Sequence, residues 1–243
     1  MATASYFRYW GKADPAYDGN PKWHPLAYHS LDVAAVAAAW WDASPTISRI
    51  FLSTFEQSDL AADQLRAWVL FFVALHDIGK LDVRFQLKAL EALKLAWSEL
   101  NLDDVDESLA RKFDHGSVGH AWALRELGSW AGDDVARLRD EWRPWIAAVT
   151  GHHGDLPSGT DSGGEYAEQQ VMEHDRLARH AWVSELATLF LAPEKLGLQN
   201  SPPACPPSAQ AWLAGVPRAR GDEPVVLTTE GLAVPGRAGL RLL

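Results

Sequence analysis

RAWVLFFVALHDIGK, residues 66–80, is the stretch on which the reading of this chain turns. Nine consecutive apolar residues, Ala67 to Leu75, run straight into His76-Asp77. Apolar side chains on every face mark a helix surrounded by other helices rather than one lying at a surface. The pattern predicts a central helix over Asp63 to Leu75, closed by Gly79 as the residue after its C-cap. A nitrogen ligand and an oxygen ligand therefore sit side by side where a buried helix ends.

Working outward, three more segments carry ligand-type side chains: His29 in YHSLDVAAVA, His115 in FDHGSVGH, and His152-His153 in TGHHG. Gly151 and Gly154 flank the His pair, and glycine lets a backbone approach an ion closely. Imidazole and carboxylate together suit Mn, Co, Ni or Fe better than Ca or Mg, which prefer all-oxygen shells. No Cys stands among the candidates, so a closed structural zinc site is not expected; Mn, Co, Ni or Fe is expected ahead of Mg or Zn. Asp77 is the carboxylate placed to bridge two ions, the usual device for hydrolysing phosphodiesters. Lys80 points near the same pocket and offers a point charge to a phosphate; its bland alternative is a lysine favoured by a helix C-terminus.

The other polar residues read as ordinary. His24, His120 and His180 are expected to find common partners. His174-Asp175 lies in the charged helix QQVMEHDRLARHAW and reads as a solvated face. So do Arg84 and Lys88, and the tryptophans read as core filler rather than base-stacking platforms.

Periodicity predicts further helices over Leu31–Trp41 with Ser30 as N-cap, Asp82–Leu95, Ser117–Trp130, Trp142–Thr150 and Glu165–Leu191. With little β-branched alternation, the expected fold is all-α. Residues 102–108 and 155–164 read as exposed loops. At 243 residues, 47% hydrophobic, the chain is long enough for one large domain with a developed core. A formal charge of −10 argues against nucleic-acid binding over the whole surface, but divalent ions reverse the local field. One cysteine, Cys205, makes no internal disulfide, and no stretch reads as a signal peptide or membrane span. The expected location is cytoplasmic, with no membrane partner.

From Ser201 the composition changes: seven of the 14 prolines fall in residues 201–243, which lack Lys, Tyr, Phe and His. The expectation is a domain over 1–200 and a poorly structured tail over 201–243, with at most a short helix at 208–214 and a strand at 225–229.

The ordered blocks HPLAYHSLDVAAVAAAWWD, AWVLFFVALHDIGKLDVRFQLK, RKFDHGSVGH and WIAAVTGHHG, preceded by YWGK at 9–12, resemble the HD nuclease domain of the CRISPR type I-E nuclease–helicase. The similarity covers roughly residues 6–204, with motif order kept. It implies an HD-superfamily helical bundle that cuts single-stranded DNA with two divalent ions. It further implies His29, His76 and Asp77 around a first ion, Asp77, His115, His152 and His153 around a second, and Lys80 on the scissile phosphate. The implied partners are a guide-RNA surveillance complex (Cascade), which exposes the strand, and a separate helicase, because no G-x-x-x-x-G-K-[ST] occurs in the sequence.

The family adds one more aspartate to the first ion from an A-D-W-x-G-S-like helix. Here the tail offers only Asp222, in a context that does not match, which predicts an impaired first site. Two other readings stay open at this point: an HD phosphohydrolase acting on nucleotides, and a catalytically impaired fragment. Deletion of residues 205–243 is expected to leave metal-dependent cleavage unchanged, as a side-by-side DNA-cleavage assay would measure. A sharp loss would mean that the tail supplies a ligand.

Overall fold

The structure, a computed structural model, describes residues 5–14, 22–54, 61–98, 106–131, 135–154, 157 and 169–192. Among these, a short antiparallel hairpin of β1 (Trp10–Ala13) and β2 (Trp23–Pro25) precedes eight α-helices. They are α1 (Leu26–Ala43), α2 (Pro45–Thr54), α3 (Ala62–Ala74), α4 (Val83–Gln86), α5 (Leu90–Ala96), α6 (His115–Ala131), α7 (Val135–Thr150) and α8 (Gln169–Leu191). The all-α expectation holds. Among the described residues no helix is long and apolar enough to cross a membrane.

α3 is the centre because its side chains are apolar all round, so α1, α7 and α8 pack against it. Trp68, Phe71 and Phe72 stack edge-on against Trp142 of α7, and Phe72 lies flat on Trp145. Burying a side chain such as Phe71 or Phe72 contributes about 1.5–3 kcal/mol. Trp97 and Trp182 are core residues as well, while Trp40 is exposed.

Several boundaries differ from the sequence expectation. α1 begins at Leu26, not Leu31, and Ser30 is buried inside it rather than capping it. No side chain caps it; instead its first N–H is satisfied by backbone, Leu26 N donating to Tyr9 O at 2.7 Å. α3 ends at Ala74, and the chain tightens into i→i−3 bonds: His76 N to Val73 O, Ile78 N to Leu75 O and Lys80 N to Asp77 O. Gly79 lies within the resulting 3-10 turn Ile78–Lys80 and has no positive φ, so it is not a left-handed cap. Its lack of a side chain serves contact instead, since a Cβ there would collide with His115 O and stand 2.8 Å from Gly119 N.

The helix expected over Asp82–Leu95 is broken into α4, a 3-10 turn at Leu87–Ala89 and α5. Asp82 caps α4 by accepting from Arg84 N, and Ala89 turns the chain at φ −136°, ψ 74°. α6 starts two residues earlier than expected, because Asp114 accepts from Gly116 N and Ser117 N as an N-cap. α7 also starts earlier, at Val135. Of the two expected loops, only residues 106–108 and 157 are described, and Glu107 begins a 3-10 turn. Cys205, Asp222 and the rest of the tail lie outside the described residues.

Two surface assignments are corrected. Arg84 is buried and pairs bidentately with Asp82 at 2.9 and 2.8 Å, whereas Lys88 is exposed as expected. Asp175 is fully buried and accepts from Tyr9 Oη at 2.7 Å and Val83 N at 3.0 Å; His174 Nδ1 lies 3.1 Å from the same Tyr9 hydroxyl. Burial and the charge of Asp82 push the Asp175 carboxyl up to about 7. Arg179, one helical turn on, is also buried; it donates to Leu81 O at 2.9 Å and binds Glu126. Side chains four apart share a helix face, so α8 grips the chain at residues 81 and 83, just past the His-Asp motif.

Of the remaining histidines, His24 pairs with Asp32 and His180 faces Glu126, both ordinary partners. His120 is an exception, buried with no hydrogen-bond partner on Nδ1 among the described residues.

Candidate metal centre

Four elements converge on Asp77. The 3-10 turn after α3 has three residues per turn, so Asp77 and Lys80 eclipse one another, and Lys80 Nζ lies 2.6 Å from Asp77 Oδ2. Asp77 itself sits at φ −104°, ψ 19°, a sparsely populated bridge conformation common at active sites. α1 brings His29 Nε2 to 3.1 Å from Oδ2, and His76 Nε2 lies 3.2 Å away. On the other oxygen, Oδ1, His115 Nε2 approaches to 3.1 Å and His152 Nε2 to 3.5 Å.

Glycines make this convergence possible. Gly79 and Gly119 let the first turn of α6 lie directly on the His-Asp turn, and Gly116 lets it touch the end of α7, where a Cβ would stand 2.6 Å from Thr150 O. Asp114 fixes the start of that helix, which places His115 as its first residue. After α7 the chain turns back through Gly151–Gly154, with Gly154 at φ 102° in the left-handed region that glycine tolerates. His152 and His153 ride on this turn.

The six sequence-predicted ligand residues are thus brought together as two groups. His29, His76 and Asp77 form one, and His115, His152 and His153 the other; within each, the ligand atoms lie within 4.8 Å of one another. Ring orientation is set from behind. His76 Nδ1 is 2.9 Å from Val73 O and His152 Nδ1 is 2.9 Å from Val149 O. A carbonyl only accepts, so in the neutral rings Nδ1 carries the proton and the Nε2 lone pair faces Asp77.

The donor set fits divalent cations. His76 Nε2 and Asp77 Oδ1 are buried yet make no hydrogen bond of acceptable geometry, despite their close neighbours. His115 Nε2 and His153 Nε2 face each other at 3.1 Å, where two lone pairs would repel without a proton or a cation between them. Imidazole and carboxylate in this mixture are ligands for the later first-row metals.

The charges suit that role. Burial alone would raise the Asp77 carboxyl, but the imidazoles of His115, His29 and His76 outweigh it and hold the group well below the usual carboxylate range. Burial lowers the Lys80 ammonium, opposed by Asp77. Burial also lowers His153, with His115 adding to it, and lowers His152 to about 4. A base whose pKa falls is neutral over a wider range, so protons do not compete for His152 above roughly pH 5. In the metal-free chain, the His152 ring signals in an NMR titration are expected to stay those of neutral imidazole from pH 7 to pH 5. A midpoint near 6.5 would contradict this.

Three residues beside the centre had no assigned role in the sequence reading: Gly11, whose carbonyl accepts Lys80 Nζ at 3.2 Å, Gln86, which binds Trp10, and Asp114. Only Asp114 carried a local signal, an aspartate standing just ahead of the helix start, the residue type preferred as an N-cap.

The family described as "Cas3, HD domain" matches residues 10–217. The CRISPR-associated endonuclease/helicase Cas3 of Escherichia coli (strain K12) is 38% identical over 211 residues, 81% of this chain and 23% of that protein. The CRISPR-associated endonuclease/helicase Cas3 of Thermus thermophilus is 41% identical over 71 residues, 29% of this chain and 7% of that protein. Among solved structures, T. fusca Cas3 with AMPPNP superposes with a TM-score of 0.54 at 22% identity, over 83% of this chain and 20% of that one. T. fusca Cas3 alone gives a TM-score of 0.52 at 23% identity, over 82% and 20%. This chain spans less than a quarter of the length of these relatives. With the family model matched along most of its length and a relative 38% identical over 81% of it, the chain belongs to the Cas3 HD-domain family.

Proposed function

We propose that this chain is a metal-dependent endonuclease that hydrolyses single-stranded DNA in CRISPR interference, with two divalent ions held around Asp77. The observation that carries the reading is the division of labour on one carboxylate: Oδ2 faces His29 and His76, and Oδ1 faces His115 and His152. A carboxylate with a separate imidazole group on each oxygen is the arrangement that bridges two ions.

In this reading His29, His76 and Asp77 hold one ion, and Asp77, His115, His152 and His153 the other. The bound ions would supply Lewis acidity, activating water and neutralising phosphate charge. The chain's own residues do the positioning. Val73 O and Val149 O hold two of the rings in the ligating tautomer. Lys80 gives two of its three N–H donors to Asp77 and Gly11 O, which leaves one for a phosphate oxygen of the substrate. The mixed imidazole and carboxylate set suits Mn, Co, Ni or Fe better than Mg, which prefers oxygen ligands alone. The strand would be delivered by a guide-RNA surveillance complex of the Cascade kind, with helicase activity supplied in the same assembly.

The test is cleavage of circular single-stranded DNA by the purified chain with Mn²⁺, Co²⁺ or Ni²⁺, against chelator and against a deoxynucleoside triphosphate substrate. Metal-dependent nicking of the circle, without triphosphate turnover, is the expected result. Turnover of the triphosphate alone would replace this reading with a nucleotide phosphohydrolase, and no turnover by a folded chain would make it a disabled one.

A further inference from the structure

β1 lies against the metal centre without supplying a ligand. A Cβ on Gly11 would come 2.9 Å from His29 Cβ and 3.1 Å from Leu26 Cα, so the strand rides directly on the start of α1. The Gly11 carbonyl accepts from Lys80 Nζ. One residue of backbone therefore touches a ligand-type histidine and holds the ammonium beside Asp77. Its position fixes where Lys80 can place its charge.

Gln86 holds that strand in place. It is fully buried on α4 and spends its whole amide there. Oε1 accepts from Trp10 N at 2.9 Å, while Nε2 donates to Trp10 O at 3.1 Å and to Lys80 O at 2.8 Å. Its main-chain oxygen accepts from Trp10 Nε1 at 3.2 Å. Among side chains of this length, only glutamine offers one acceptor and two donors at a single end. A flipped amide would set N–H against N–H and an oxygen against two carbonyls, so the network admits one orientation. The side chain thus imitates a paired strand for Trp10 and ties that strand to the backbone of Lys80.

We propose that Gln86 is the positioning residue for Lys80, locking β1 so that the Gly11 carbonyl holds the ammonium at the place where the substrate phosphate must lie. The proposal deepens the nuclease reading and rests on it for the catalytic consequence. Misplacing a charged group by an ångström costs on the order of 10²-fold in rate.

The experiment is a double-mutant cycle of Gln86→Met, which keeps length and volume, with Lys80→Met, assayed by Mn²⁺-dependent nicking of circular single-stranded DNA. Gln86→Met is expected to lower kcat roughly 10- to 100-fold with Lys80 present and to have no further effect once Lys80 is Met. An equal loss in both backgrounds would mean that Gln86 supports the fold generally, and would overturn the proposal. If Gln86→Met does not fold, Gln86→Glu keeps the acceptor for Trp10 N but cannot donate when ionised.

A second readout is independent of catalysis. In metal-free protein treated with acetic anhydride, Lys80 is expected to acetylate several-fold faster in the Gln86 variant, as read by mass spectrometry, with Lys88 unchanged. Equal Lys80 labelling would overturn the proposal even if the parent chain proved inactive, an outcome that would separately sink the nuclease reading.

Discussion

Asp77→Ala is expected to abolish metal-dependent cleavage, with a loss of at least about 10³-fold, beyond what removal of a single charge-stabilising donor usually costs. The size follows from geometry rather than from the residue's place in a motif. Both carboxylate oxygens are engaged, Oδ2 toward His29 and His76 and Oδ1 toward His115 and His152. Removing one histidine weakens one group; removing Asp77 takes a ligand from both and leaves the Lys80 ammonium, which it pairs at 2.6 Å, without its anion. Calorimetric titration with Mn²⁺ should show the same asymmetry. The parent chain is expected to bind two ions, the first more weakly because the tail lacks the family's matching aspartate. A His153→Ala variant is expected to bind the second more weakly, and Asp77→Ala to lose tight binding of both. Asp77→Asn separates charge from shape, because it keeps the volume and one carbonyl oxygen yet cannot bridge two cations as a carboxylate does. Wild-type cleavage by either Asp77 variant, with the chain folded by circular dichroism, would defeat the two-ion reading.

What the sequence announced and what it hid divide along physical lines. α3 was legible because its signal is local: nine consecutive apolar residues can only be the inside of something. The segments around His29, His76-Asp77, His115 and His152-His153 were legible because each carries a ligand-type side chain at the end of an apolar run or beside glycine. Their meeting point came from the family resemblance and not from local pattern, since it depends on the contact of Gly79 with Gly119. Gly79 read as a helix-ending residue by local rules, while its task is to admit another helix.

The hairpin was missed because its strands have four and three residues, too few to show a period of two, and one is held by a glutamine side chain. Asp175 was read as solvated because its neighbours in sequence are charged. Its burial comes from Tyr9, 166 positions away. Ser30 lost the helix start to Leu26 for a related reason: the capping acceptor is Tyr9 O, a main-chain group with no residue signature. In each case the local preference was real and a long-range partner overrode it.

Gly79→Ala is expected to be the most damaging single-methyl change in the described chain. The added Cβ would collide with the His115 carbonyl and stand 2.8 Å from Gly119 N and 2.9 Å from Gly119 Cα. All three obstacles are backbone, so no flexible side chain can swing aside, and α6 must shift away from the His-Asp turn. Overpacking typically costs about 1–3 kcal/mol where side chains can relax; here about 3 kcal/mol or more is expected, lowering Tm by roughly 6–12 °C in a chain of this size. Gly154→Ala makes the contrast. Its φ of 102° disfavours a side chain, but nothing lies within 4 Å of the new Cβ, so backbone strain of about 1–2 kcal/mol is the whole cost. The functional consequence of Gly79→Ala is also specific. Displacing α6 withdraws His115, while His29, His76 and Asp77 keep their places on α1 and on the turn itself. Mn²⁺ titration of the folded variant below its Tm should therefore show one ion retained and the other lost. A Tm within about 2 °C of the parent, less than the shift from 1 kcal/mol, would mean that α6 does not depend on this glycine contact. Loss of both ions together would mean that the two groups are not built independently around Asp77.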